Sequence, residues 1–176
     1  MLVKPGRGFT AVEIMVVVAL LCVIVAIAVP SFQGAIERAR LKSAAEALLA
    51  DIYTAKSEAL RTGQAVFYSV RPGAQDSWCY GMNIGSPCDC EISAAQCKLR
   101  SASQADYRGV RMSASTLPPG ASSFDPMRGM ASGSGLVTFT VPSGQVLKTG
   151  ITAVGRAYLC SPEGAGNVPG YGSADC

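Results

Sequence analysis

A chain of 176 residues has room for one domain with a real core, not for two ordinary domains and a membrane segment besides. Hydrophobic residues make up 49% and charged residues 15%, which excludes disorder and is unlike a typical soluble enzyme. The formal charge is +3 and there is no histidine, so the usual general base, the commonest zinc ligand and the Ser-His-Asp arrangement are all missing.

The apolar content gathers at the N-terminus. Residues Ile14 to Val29 form an uncharged run, and with Phe9 to Glu13 in front the stretch reaches about the 20 residues that a bilayer-spanning helix needs. Glu13 is its one charge. A secretory signal would be cut after the apolar region, but here the small basic segment Met1 to Gly8 ends directly before it, so a cut at Gly8 keeps the anchor. Lys4 and Arg7 hold that segment in the cytoplasm by the positive-inside rule, which puts the rest of the chain in the periplasm. Removing those two from the 15 basic residues leaves 13 against 12 acidic ones.

The order Gly8, Phe9, Thr10, Ala11, Val12, Glu13, followed by the apolar run, resembles the class III signal of type IV pilins and type II secretion pseudopilins. The resemblance implies that a prepilin peptidase cuts after Gly8 and methylates the new N-terminal Phe9. It also implies that Glu13 serves filament assembly. A carboxylate in hydrocarbon costs a few kcal/mol and persists only if compensated, which the freed amine of a neighbouring subunit could do.

Pro30 falls at the end of the run, where it must end or kink a helix, although members of the family often continue beyond such a proline. After it Leu41, Ala45, Leu48, Ile52, Ala55 and Ala59 recur at spacings of three and four, one face of a helix. Arg38, Lys42, Glu46, Lys56 and Arg61 fall on the opposite face, and Gly63 is a natural stop. The expected organisation is a leader over 1–8, a helix over 9–62 and a β-rich head over 63–176. Within the helix, 9–29 is the transmembrane and filament-core part and 30–62 the amphipathic part. Such a helix spans roughly 80 Å.

From Ala65 onward short β-prone runs take over: Ala65 to Val70, Trp78 to Ile84, Gly109 to Ser113, Leu136 to Val141 and Ile151 to Cys160. Pro142, Ser143 and Gly144 close the clearest of them with a turn. The segment Gly85 to Ala105 reads as a disulfide-tied loop insertion. Phe124 to Gly129, the glycine-rich turn before the Leu136 strand, and Gly155, Arg156, Ala157, Tyr158 resemble the head of the GspH/FimT subfamily. That group includes the H-type pseudopilin of type II secretion and the minor type IV pilins FimT and FimU. The resemblance implies an α+β pilin fold, a long N-terminal helix packed on a mainly antiparallel sheet.

Of seven cysteines, Cys22 lies in the hydrophobic helix as a reduced packing residue. Six remain, an even number that reads in an oxidising periplasm as three disulfides. Cys160 with Cys176 is the preferred pair. Cys79, Cys88, Cys90 and Cys97 supply two more bridges, most simply with Cys88 and Cys90 joined to different partners. The competing zinc site at Cys88, Cys90 and Cys97 is disfavoured by oxidation and the lack of histidine, so no metal and no cofactor is expected.

Neither Gly133 with Gly135 nor Gly164 with Gly166 and Gly170 makes a phosphate-binding glycine motif, and there is no Walker lysine, so assembly energy must come from another protein. From Gly63 onward the chain has eight basic and seven acidic residues, too balanced for a domain-wide field towards nucleic acid. Lys98, Arg100 and Arg156 are the candidate DNA contacts. DNA-binding FimT proteins carry G-R-x-R at the place of Gly155 and Arg156, but Tyr158 here replaces the second arginine.

The reading is a non-enzymatic minor type IV pilin of FimU or FimT kind, priming assembly or sitting at the pilus tip. An H-type pseudopilin and a DNA-binding pilin for natural transformation are the alternatives. Expected partners are other minor and major pilins, prepilin peptidase, the inner-membrane assembly platform and, before assembly, membrane lipid. DNA is a disfavoured partner. The expected location is the inner membrane with a periplasmic head, then the pilus at the cell surface.

Overall fold

Thr10 opens the helix: its hydroxyl accepts the Glu13 amide N–H at 3.3 Å and its carbonyl accepts that of Ile14 at 3.2 Å. Helix α1 then covers Ala11–Thr62. In the computed structural model residues 10–73, 77–118, 122–174 and 176 are described, with the backbone alone at 29–31. The helical assignment runs through residue 30, as a proline whose lost hydrogen bond is one among many allows. Gly63 ends the helix at φ 65°, and its N–H bonds to the Ala59 carbonyl at 3.1 Å. The chain falls into two compact units, one up to Ile36 and one from Glu37 to Cys176.

In the second unit the helix buries the face that its spacing marks out. Leu41, Ala45, Leu48, Ile52, Ala55 and Ala59 are all fully buried, joined by Ala44. Each large aliphatic side chain among them contributes about 1.5–3 kcal/mol by leaving water.

Eight strands follow among the described residues: β1 (Val66–Arg71), β2 (Cys79–Ile84), β3 (Arg100–Ser103), β4 (Arg111–Ser115), β5 (Ser122–Phe124), β6 (Gly135–Thr140), β7 (Val146–Ile151) and β8 (Ala157–Cys160). They form two antiparallel four-stranded sheets, ordered β3-β2-β1-β5 and β4-β6-β7-β8. Val66, Tyr68, Tyr80, Met82 and Phe124 of the first sheet share one core with Met112, Val137, Phe139, Leu147 and Ile151 of the second and with the helix. Trp78 sits at the centre, its ring against Tyr80, Tyr107 and Phe139 and its indole N–H on the Val110 carbonyl at 2.8 Å.

Two expectations need correction. Ile151 to Cys160 is not one strand: Ile151 ends β7, Thr152 to Gly155 turn the chain, and Ala157 begins β8. The turn needs Gly155, at φ 72°, where an added Cβ would lie 2.1 Å from the Gly129 carbonyl oxygen. Gly85 to Ala105 is also more than an insertion, because its last residues supply β3, an edge of the first sheet.

Candidate functional site

Two surfaces of this chain are candidates for function, the stem of α1 and the exposed faces of the head. In the stem, Glu13 is the only charged residue between Ala11 and Ile36. Val12, Ile14, Met15, Leu20, Leu21, Ile24 and Ile27 are exposed, and no part of the most apolar window is buried. By length and composition α1 is able to cross a membrane. Cys22 is an exposed free cysteine on the same stretch. Gly8 and Phe9 lie outside the described residues. Thr10 is a residue that sequence reasoning missed: Thr-x-x-Glu before an apolar run is a helix-start signature, and the Thr10 hydroxyl here takes up the backbone N–H of residue 13.

In the head, Asp51 is the polar residue that helical spacing did not flag. It lies on the buried side of α1, accepts the Tyr80 hydroxyl at 2.9 Å and meets the Arg100 guanidinium at 2.9 Å. Burial, then the Asp51 charge beside it, pushes the Tyr80 hydroxyl well above the ordinary tyrosine range. Arg100, on β3, thus reaches the helix through an ion pair that is largely solvent-exposed on the arginine side. Two residues on, the Tyr53 hydroxyl bonds to the Ala157 carbonyl of β8 at 2.6 Å. Residues two apart on a helix point about 200° apart, so β3 and β8 flank α1 on opposite sides. The candidate DNA contacts therefore divide: Lys98 and Arg100 belong to the β3 side and Arg156 to the β7–β8 turn.

Arg156 is exposed and its amide N–H bonds to the Thr152 hydroxyl at 3.1 Å. Beside it Lys56, expected on the solvent face, lays its ammonium on the Gly155 carbonyl at 3.0 Å and the Val154 carbonyl at 3.4 Å. The Tyr158 ring lies over Gly150, where an added Cβ would meet it at 2.2 Å, which accounts for a glycine in the middle of β7.

The cysteines define a third feature. Cys79 is bonded to Cys90, Cys88 to Cys97 and Cys160 to Cys176. Tyr80 and Met82 point into the core, so by strand alternation Cys79 and Gly81 face the other side of the first sheet. The Cys88–Cys97 bridge lies directly on Gly81, where a Cβ would come within 2.2 Å of the Cys97 sulfur. The Ser69 hydroxyl bonds to the Cys88 carbonyl at 2.8 Å and Arg71 pairs with Asp89 at 2.7 Å, closing the loop onto β1. The paired guanidinium holds the Asp89 carboxyl below its ordinary range. Among the described residues no cluster of His, Cys, Asp or Glu side chains could hold a metal ion.

A long helix, apolar and uncovered in its first part and buried against antiparallel sheets in its second, defines a pilin-like α+β protein. Residues 44–162, more than half of the chain, match the family model described as type II transport protein GspH. The chain belongs to the GspH family, whose members are pilins or pseudopilins of type II secretion or type IV pili, structural subunits that assemble with others into a filament. No curated protein and no solved structure matches it.

Proposed function

We propose that this chain is a minor type IV pilin that primes assembly of the filament or sits at its tip. Residues 1–8 are removed by prepilin peptidase at Gly8, Phe9 becomes the methylated N-terminus, and Glu13 compensates the N-terminal amine of a neighbouring subunit. The observation that carries the reading is the uncovered stem with its single carboxylate: every other residue from Ala11 to Ile36 is uncharged, and among the described side chains none of them is in the core of the head. An apolar surface of that length needs lipid before assembly and other stems afterwards. Pili sheared from cells producing Glu13→Ala should lack the subunit although the membrane fraction holds it at mature mass. Normal incorporation of Glu13→Ala would remove Glu13 from the assembly step.

A second reading, the H-type pseudopilin of a type II secretion filament, is favoured by the match to the type II transport protein GspH family. Deletion of the gene separates the two: loss of surface pili with intact protein secretion supports the minor pilin, and the reverse supports the pseudopilin.

A further inference from the structure

The head has a patch of exposed apolar side chains that its own fold does not use. Tyr53, Leu60, Met127, Met130 and Val154 are all exposed, Met127 to 86% and Val154 to 63%. They are brought together by close backbone contacts. An added Cβ at Gly129 would meet Leu60 at 3.5 Å, the Ala131 N–H bonds to the Ala153 carbonyl at 3.0 Å, and Tyr53 reaches β8 through Ala157. The turn that holds Met127 is rigid, because the Asp125 carboxylate accepts the N–H groups of Met127 and Arg128 at 3.0 and 2.7 Å. Met127 and Met130 line a groove of about 570 Å³ beside Ala65, Ser123 and Ser132.

The charge around this patch is mainly positive. Arg128 and Arg156 are exposed and, among the described residues, neither has an ion-pair partner. Lys56 between them is held by carbonyl groups, not by a carboxylate. The one acid at the groove, Asp125, is occupied by the two backbone N–H groups. Methionine side chains adapt to irregular apolar partners, and a basic rim selects for carboxylates.

We propose that this face docks a segment of another protein that presents aliphatic side chains flanked by carboxylates. Nucleic acid fits it less well, since stacking on bases needs aromatic rings and four of the five exposed apolar side chains are aliphatic or thioether. The proposal goes beyond the pilin assignment, because it rests on the head alone and holds whichever filament the subunit joins.

The test places a photoreactive amino acid at position 127 of the full-length chain in its own cell, followed by irradiation and peptide mapping of the adducts. The expected result is an adduct with a second protein, through a peptide carrying at least two carboxylates beside aliphatic residues. The adduct should fall about tenfold or more in the double variant Arg128→Glu, Arg156→Glu, with all three disulfides still present on non-reducing mapping as proof of folding. The proposal is overturned by adducts with nucleic acid or lipid only, by a partner peptide without carboxylates, by the absence of any adduct, or by an adduct that the charge reversal leaves unchanged. Presence of the subunit in sheared filaments, scored on the same cells, keeps a failure of the filament assignment distinct from a failure of this contact.

Discussion

Gly155 and Asp51 illustrate how single residues decide this head. Gly155 combines a left-handed backbone with the approach of the Gly129 carbonyl, so Gly155→Ala meets both a conformational and a steric penalty, about 2–4 kcal/mol together. A melting curve indistinguishable from the parent would contradict that geometry. At Asp51 the two partners are unequal. Arg100 is 60% exposed, so its pair with Asp51 is screened and worth little, whereas the Tyr80 hydroxyl is buried and costly to leave unpaired. Asp51→Ala should therefore cost about 1–3 kcal/mol in a denaturant titration and Arg100→Ala well under 1. Equal effects would show that the ion pair, not the tyrosine hydroxyl, dominates.

Tyr171 gives a pH dependence. Its hydroxyl donates to the Glu46 carboxylate, and Lys42 sits 5.3 Å from its ring centre. Burial, then the hydrogen bond to Glu46, pushes its pKa up to about 12 from 10.0. A pKa raised by folding means that the contact stabilises fully below pH about 10 and is lost as the pH rises through about 12. Ultraviolet titration of the folded head should lose the step near pH 12 in Tyr171→Phe, while the more deeply buried Tyr80 still ionises late; an unchanged step near pH 12 in that variant would assign it to another tyrosine.

At the level of elements, what was legible in the sequence followed from periodicity. The buried stripe Leu41 to Ala59 is a run of 3.6-residue spacing, and packing obeyed it at every position. Strand β6 was equally plain, since Leu-Val-Thr-Phe-Thr alternates and a Pro-Ser-Gly turn closes it. The strands that escaped notice have weak local signals: β3 is Arg-Ser-Ala-Ser and β5 is Ser-Ser-Phe, held in place by β2 and β1 and not by their own propensity. Strand β7 was hidden by Lys148 and Gly150, and the Gly150 position makes sense only once the Tyr158 ring is seen above it. Ion pairs such as Asp51 with Arg100 join residues far apart in sequence, which no local pattern encodes.

The tail is tied on by Cys160–Cys176, by Tyr171 on α1 and by hydrogen bonds to Val146, Lys148 and Ser161, with Val168 fully buried beneath. The double change Cys160→Ser, Cys176→Ser should cost about 2–4 kcal/mol and expose the tail to limited proteolysis. A tail that stays resistant would mean that its non-covalent contacts suffice.

For the whole molecule the key division is between a head whose described core lies entirely within Glu37–Cys176 and an apolar stem whose described side chains are exposed. The buried core begins at Leu41, so a chain starting at Glu37 should fold as a soluble head with the melting temperature of the full-length protein in detergent. On the proposed function the stem would exchange lipid for other stems, in keeping with membership of a filament-forming family. That exchange presupposes that processing leaves the stem in place. Intact-mass measurement of the mature protein from fractionated cells tests this most directly. The account predicts a membrane-bound chain that begins with methylated Phe9 and retains all of α1. A mature chain that begins after Val29 and is recovered free in the periplasm would contradict it.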